Sequence, residues 1–291
     1  MTAHVNPQEK AAFIQEEIRA FVRNSPLNRM PDADDDFIFD EPLVQFADGN
    51  DSIFNDYKKI IDPSHLTPRE ALAAAYEKSP GDLPAQLSVV SWILPITGKT
   101  RESNRPQKRV PSRLWVYTRW YGEKLNEALR AHVVEVITER GYLATAPMLQ
   151  PYFKRMDNYA GPLSNWSERH IAYAAGLGTF SLSDGFITER GIAHRCGSVV
   201  TDMPLPISPR TAQTPYSNCL FYVNNECREC IPRCPAGAIT EQGHDKIRCR
   251  DYQHDEIGYI RQRYGVEVAG CGLCQTGVRC EFKNPAKKLK V

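Results

Sequence analysis

The sequence predicts an α/β protein closed by a cysteine-rich tail, and three features carry that prediction. A short apolar run at 87–96, "LSVVSWILPI", is rich in β-branched and aromatic residues and is bounded by Pro84 and Gly98, which favours a buried strand. An amphipathic pattern and a second short run, "YLATAPML", follow it. Strand, helix and strand over roughly sixty residues make a βαβ-like unit of an α/β layer. The third feature is the cysteines: seven of nine fall between Cys227 and Cys280.

The remaining elements follow in order. "NPQEK" opens a helix, with Asn6 as cap, Pro7 in the first turn and Glu9 to complete a capping box. Phe13, Ile14, Ile18, Phe21 and Val22 share one face until Asn24-Ser25-Pro26 ends it. "TPREALAAAYEKSPG" repeats the grammar with Thr67, Pro68 and Glu70. Between the two, residues 31–56 hold nine acids and no Lys or Arg, which reads as a solvated excursion over the surface, with a docking patch for a basic partner as the rival. Leu114, Tyr117, Tyr121, Leu125, Ala128, Leu129, Val133, Val136 and Ile137 recur at threes and fours, so a helix spans about 112–140 and Gly141 terminates it. Asn165 suits the cap of a short helix with Glu168 at its third position, and Gly176 and Gly178 end it. "FSLSDGFIT" and "CGSVVTD" alternate as strands around a turn at 189–191. The Pro/Ser/Thr-rich stretch at 204–218 marks a boundary, and the apolar-poor tail beyond it is expected to depend on metals for its folding. Three regions result: a helical and acidic extension at 1–86, an α/β unit at 87–215 and a cysteine module at 216–291.

Composition excludes several classes. With 42% hydrophobic and 24% charged residues among 291, the chain has the make-up of a globular protein. No apolar run reaches the roughly eighteen residues of a membrane span, and the N-terminus has no basic-then-apolar leader, which places the protein in the cytoplasm. A net charge of +1 is no footprint for nucleic acid. Cysteine clusters in that compartment bind metal or do redox chemistry more often than they form disulfides.

The stretch at 224–239, "NNECRECIPRCPAGAI", reads as half of a bacterial ferredoxin motif with Asn224 where a cysteine belongs. In two-cluster ferredoxins the cysteine before the proline ligates the other cluster. Cys227 and Cys230 then belong to the first cluster and Cys234 to the second. The run Cys271-x2-Cys274-x5-Cys280 mirrors this, so Cys271 and Cys274 join Cys234 while Cys280 returns to the first. Cys249 completes the second set, and Cys219 supplies the thiolate missing at Asn224. The rival is one zinc on the two Cys-x2-Cys pairs, which leaves Cys219, Cys234, Cys249 and Cys280 without a role. A single cluster with spare cysteines is the other rival. Cys196 stands apart as a small buried hydrophobe, with His194 two residues earlier.

With these residues in view, 87–285 resembles the superfamily of epoxyqueuosine reductases and corrinoid-dependent reductive dehalogenases. "LSVVSWILPI" resembles its first core strand, and "SERHIAYAAGLGTFSLSDGFIT" its helix ending in an Ala-Gly-Leu-Gly turn. "GSVVTDMPLP" resembles its strand and proline exit. "CRECIPRCPAGAI", "IRCRD" and "GCGLCQTGVRC" resemble its cluster module. The resemblance implies a nitroreductase-like α/β domain that binds cobalamin, followed by a ferredoxin-like module with two 4Fe-4S clusters. It implies electrons from reduced ferredoxin or flavodoxin entering at the second cluster and leaving through the first to a corrinoid that reduces a small molecule. By position, Ala175, Gly176, Leu177, Gly178, Gly197, Ser198, Val199, Val200 and Thr201 would line the corrin with backbone groups.

The chain departs from that pattern in places. Where the tRNA-modifying members carry a catalytic aspartate, fourteen residues before Gly176, stands Pro162. Asp157, Tyr159 and Glu168 are nearby replacements, and Tyr159 is the expected proton donor. No helical-repeat domain follows the clusters, and 1–86 matches no part of the superfamily. The expectation is therefore a short reductase of unknown substrate. The alternatives are a ferredoxin-like carrier or corrinoid-protein activator without a substrate, and an α/β domain that holds a flavin or nothing.

Overall fold

The computed structural model describes residues 6–31 and 36–287; the expectations that fall on Asp32, Asp34, Asp35 and the terminal "KLKV" lie outside them. Chain order runs α1 (Pro7–Asn24), β1 (Leu43–Asp48), α2 (Ile53–Ile60), α3 (Pro68–Ala75), β2 (Ser88–Pro95), α4 (Gly98–Asn104) and α5 (Arg113–Thr138). It continues through β3 (Ala144–Thr145), the hairpin β4 (Arg155–Asn158) and β5 (Gly161–Ser164), α6 (Glu168–Ala174), β6 (Gly178–Phe180), β7 (Phe186–Thr188) and β8 (His194–Thr201). The tail holds α7 (Leu220–Asn224), α8 (Cys230–Arg233), β9 (Ile239–Thr240), β10 (Gly243–His244), α9 (Lys246–Asp255) and α10 (Gly258–Tyr264).

Local signals set most of these elements. Asn6 caps α1 and Thr67 caps α3, each in a capping box with Glu9 or Glu70. Ser112 caps α5 through a bond from Trp115 N, and Gly141 leaves its end at a φ of 83°. The cap of α6 is Ser167 rather than Asn165. Asn165 instead accepts from Lys154 N and donates to Tyr152 O, which closes the neck of the β4–β5 hairpin.

The central sheet has the order β1-β2-β8-β3 and every pairing in it is antiparallel. β2 and β3 are therefore parallel to each other but not adjacent, because β8 lies between them. Val90, Trp92 and Leu94 of β2 pack with α1 and α5, while Val89 and Ile93 pack with α2, α3 and α6. Helices on both faces explain why 87–96 reads as a continuous apolar run instead of an alternation.

Residues 31–56 are more than a surface excursion. Val44, Phe46 and Ala47 are buried on β1, which pairs with β2 along its whole length. The first part of the chain thus supplies an edge strand to the sheet. The tail is likewise not held by its cysteines alone. Ile257, Ile260 and Val266 enter the core that α1 and α5 share, and Arg233 donates to the carbonyls of Leu273, Thr276 and Gln107 at 3.1, 2.8 and 2.8 Å. Glu281, 2% exposed, accepts two bonds on one oxygen and one on the other from Arg105, at 2.8–3.1 Å.

Gly197 marks the tightest approach within the sheet. It sits opposite Trp92, and a Cβ there would lie 2.4 Å from the indole ring, whose Nε1 is held by Asn126 at 2.9 Å. The indole cannot swing aside without losing that bond. Gly197→Ala is expected to destabilise the protein by about 2 kcal/mol through overpacking. A urea midpoint that falls at unchanged slope checks this, and an unchanged midpoint contradicts it.

Candidate functional site

The eight tail cysteines gather into two sets. Cys219 opens α7, where Asn218 is anchored by bonds from its own N–H to Thr179 Oγ1 (2.9 Å) and from its side chain to Ile187 O (2.8 Å). Cys227 and Cys230 lead into α8, and Cys280 is pinned by Ile192 N–H donating to its carbonyl at 2.8 Å. The Cys280 thiol is pushed well up by burial and then by Cys219, Cys230 and Cys227. The Cys274 thiol is raised by burial and then by Cys271, Cys249 and Cys234. Neighbouring sulfurs thus oppose the ionisation of both Cys280 and Cys274. Burial and neighbouring sulfurs take Cys230 and Cys271 to about 12. A bound cation reverses that balance, since coordination deprotonates a thiol outright.

Cys234, Cys249, Cys271 and Cys274 all line one cavity of about 270 Å³. Among the described residues no three His, Cys, Asp or Glu side chains converge closely enough for a single ion. Four sulfurs around a hollow are the donor chemistry of a 4Fe-4S cluster. Nitrogen donors reach two of these sulfurs: Ala238 N–H to Cys234 Sγ at 3.3 Å, and Gln253 Nε2 to Cys249 Sγ at 3.4 Å.

A larger cavity of about 950 Å³ is lined by residues of α2, α5, α6, the β4–β5 hairpin, β6, β7 and β8. Tyr57, Phe153, Trp166, Tyr173, Phe180 and Phe186 give it aromatic walls. It shares Arg169, Gly185, His194, Arg195 and Gln275 with the cavity of Cys234, Cys249, Cys271 and Cys274. The second set of cysteines is therefore a direct neighbour of the large cavity.

One wall of that cavity is a buried ionic network built on α5. Arg130, 1% exposed, bonds Glu123 at 3.0 Å and Glu168 at 3.3 Å, and also donates to Cys196 O at 3.1 Å. Arg195 pairs with the other oxygen of Glu123, and Ser198 Oγ donates to Glu168 at 2.6 Å. Burial works to raise the Glu123 carboxyl, but Arg195 and Arg130 outweigh it and hold it at about 2. Glu168 comes out raised, because its burial exceeds what Arg130 and Ser198 return. His194 and His170 are pushed down by burial to about 4 and about 3, so both rings are neutral at pH 7. His194 donates from Nε2 to Phe186 O at 2.7 Å and presents Nδ1 to Cys196 Sγ at 3.6 Å.

The residues predicted from sequence fall into three groups. Of the eight tail cysteines, Cys234, Cys249, Cys271 and Cys274 line one cavity, and Cys219, Cys227 and Cys230 lie near enough to Cys280 to raise its thiol. Tyr159 does not reach the cavity: it is 94% exposed at the tip of the β4–β5 hairpin, where local closeness to Pro162 does not translate into closeness in space. Asp157 is spent on a 3.0 Å ion pair with Arg250, whereas Glu168 and Pro162 do line the cavity. Tyr159→Phe is expected to leave stability within about 0.5 kcal/mol of the parent in urea unfolding, and a larger loss would show a packing role.

Ala175, Gly176, Leu177, Gly178, Gly197, Ser198, Val199, Val200 and Thr201 are not among the residues that line the cavity. A Cβ at Gly176 would meet Pro209 O at 2.6 Å and one at Gly178 would meet Ile187 O at 2.3 Å, so these small residues admit the protein's own backbone. Sequence reasoning missed Glu123 and Arg130. Their signal was present: two charges seven residues apart within the apolar pattern of α5.

No protein-family model and no curated protein matches the chain. Among solved structures it is similar to an epoxyqueuosine reductase at 15% identity and a TM-score of 0.51, over 95% of this chain and 66% of that one. An epoxyqueuosine reductase from Bacillus subtilis aligns at 17% identity and 0.49 over the same shares, and a catabolic reductive dehalogenase at 14% and 0.49 over 96% and 38%. The first likeness shows that the chain has a mixed α/β fold of the epoxyqueuosine reductase kind. It spans 66% of that protein's length.

Proposed function

We propose that the protein is an iron-sulfur reductase in which two 4Fe-4S clusters deliver electrons to a corrinoid held in the large cavity, where a small molecule is reduced. The α/β unit would be the nitroreductase-like partner of a ferredoxin-like tail. The observation that carries the reading is the contiguity of a four-thiol cavity with an aromatic-walled cavity of about 950 Å³, at the upper end of the 300–1,000 Å³ of ordinary ligand pockets. A large flat ring suits such walls. When bound, a corrinoid supplies the reductive chemistry at its metal.

The chain's own residues have separable parts in this reading. Cys219, Cys227, Cys230 and Cys280 hold the first cluster; Cys234, Cys249, Cys271 and Cys274 hold the second. Because the second set adjoins the large cavity, electrons from a ferredoxin or flavodoxin enter at the first cluster and leave from the second, the reverse of the order expected from sequence. Tyr57, Phe180 and Trp166 would exclude water and give a flat ring aromatic walls. Arg130 pairs with both Glu123 and Glu168 in the wall, and Tyr57, Tyr173, Tyr216 and the Cys196 thiol at the cavity replace Tyr159 as candidates for donating a proton. A bare electron carrier would leave this cavity without a role.

An anaerobic absorption spectrum with iron, sulfide, cobalt and zinc counted per chain tests the proposal. About eight iron and one cobalt are expected. One zinc with no iron would sink it.

A further inference from the structure

Resting on the reading of Cys249 as a ligand of the second cluster, the next question is what makes that cluster able to accept an electron. Reduction adds one electron and one unit of negative charge to a four-thiolate cluster, with no bond made or broken. Burial opposes that charge, and the second set stands inside the protein beside the large cavity. Donors aimed at the sulfurs work the other way, since they stabilise the more negative state more strongly.

Gln253 is placed to do this. It lies one turn after Cys249 on α9, and its amide Nε2 points to Cys249 Sγ at 3.4 Å while also reaching Cys249 O at 3.5 Å. Its side chain lines the 270 Å³ cavity that the four second-set cysteines share. Arg233 also brings a permanent charge close to Cys271 and Cys274, held in place by the carbonyls of Leu273 and Thr276.

We propose that Gln253 is a tuning residue of the second cluster, its amide N–H holding that cluster's reduction potential high enough to draw electrons from the first. Arg233 reinforces the effect but also staples the tail, so Gln253 is the position to test. Gln253→Leu removes the donor, and Gln253→Glu removes it and adds a negative charge; both residues keep helix propensity on α9. Full-length protein, reconstituted with iron and sulfide, is reduced stepwise with dithionite at controlled potential and followed by electron paramagnetic resonance. The second cluster's signal is identified as the one that survives in Cys219→Ser.

The expected result is a shift of that signal alone to more negative potential, larger in Gln253→Glu than in Gln253→Leu, with iron and sulfide per chain unchanged. Unmoved potentials in both variants, or a shift confined to the first cluster, overturn the proposal. A parent protein that binds no iron would instead overturn the cluster reading beneath it, so the two failures are distinct.

Discussion

Cys219→Ser is expected to lower the iron content from about eight to about four per chain and to abolish the signal of one cluster while leaving the other intact. Seven residues separate Cys219 from Cys227, which no local ferredoxin spacing accounts for. The fold brings it in by capping α7 with it and anchoring the adjacent Asn218 to Thr179 and Ile187. Its thiol then reaches Cys230 and Cys280 closely enough to oppose their ionisation. Cys196→Ser is the matching control. That thiol faces His194 at the large cavity instead of the other cysteines, so its loss should leave iron unchanged. Equal iron in Cys219→Ser and the parent would remove Cys219 from the ligand set.

Glu123→Gln is expected to destabilise the protein by about 3 kcal/mol, within the range for breaking a buried ion pair from one side. The substitution leaves Arg130, which is 1% exposed, with Glu168 as its remaining partner and takes from Arg195 the carboxylate it pairs with. Burial would raise Glu123, yet Arg195 and Arg130 bring it from 4.5 down to about 2. A depressed carboxyl contributes stability that is fully present above its unfolded value and lost as pH falls through its folded one. Between about pH 5 and pH 2 the parent should therefore lose about 3 kcal/mol that the variant never had. Glu168, raised by burial, acts in the opposite sense, so the two variants' acid limbs should differ in sign. Urea unfolding of parent, Glu123→Gln and Glu168→Gln across that range decides it. Parallel curves would show that Glu123 is not held low by the arginines.

What was legible in advance was whatever a short window of sequence carries. Capping boxes at Asn6 and Thr67, the threes and fours of α5 and the β-branched run of β2 each encode an element through neighbouring residues. β1 also had its alternation, with Val44 and Phe46 two apart, but the acids around it obscured the strand. In the βαβ-like unit expected from strand, helix and strand, β2 and β3 do not pair with each other, because β8, some fifty residues later in the chain, pairs between them. Gly176, Gly178 and Gly197 each stand where another part of the chain comes close. The partner they approach is Pro209, Ile187 and Trp92, and only the folded chain could say so.

The division between sequence and structure has a physical basis. Cysteine spacing, backed by the crossing rule, was enough to propose two sets of four thiols, because the Cys-x2-Cys pairs and the Cys-Pro are local patterns. Element type was determined by periodicity for the same local reason. The large cavity, its wall of Glu123, Arg130 and Arg195, the exclusion of Tyr159 and the choice of the second cysteine set as the cavity's neighbour were decided by tertiary structure alone. Each of these joins residues from separate elements whose meeting depends on how α5, α6, β8 and the tail pack, and no local pattern encodes that meeting.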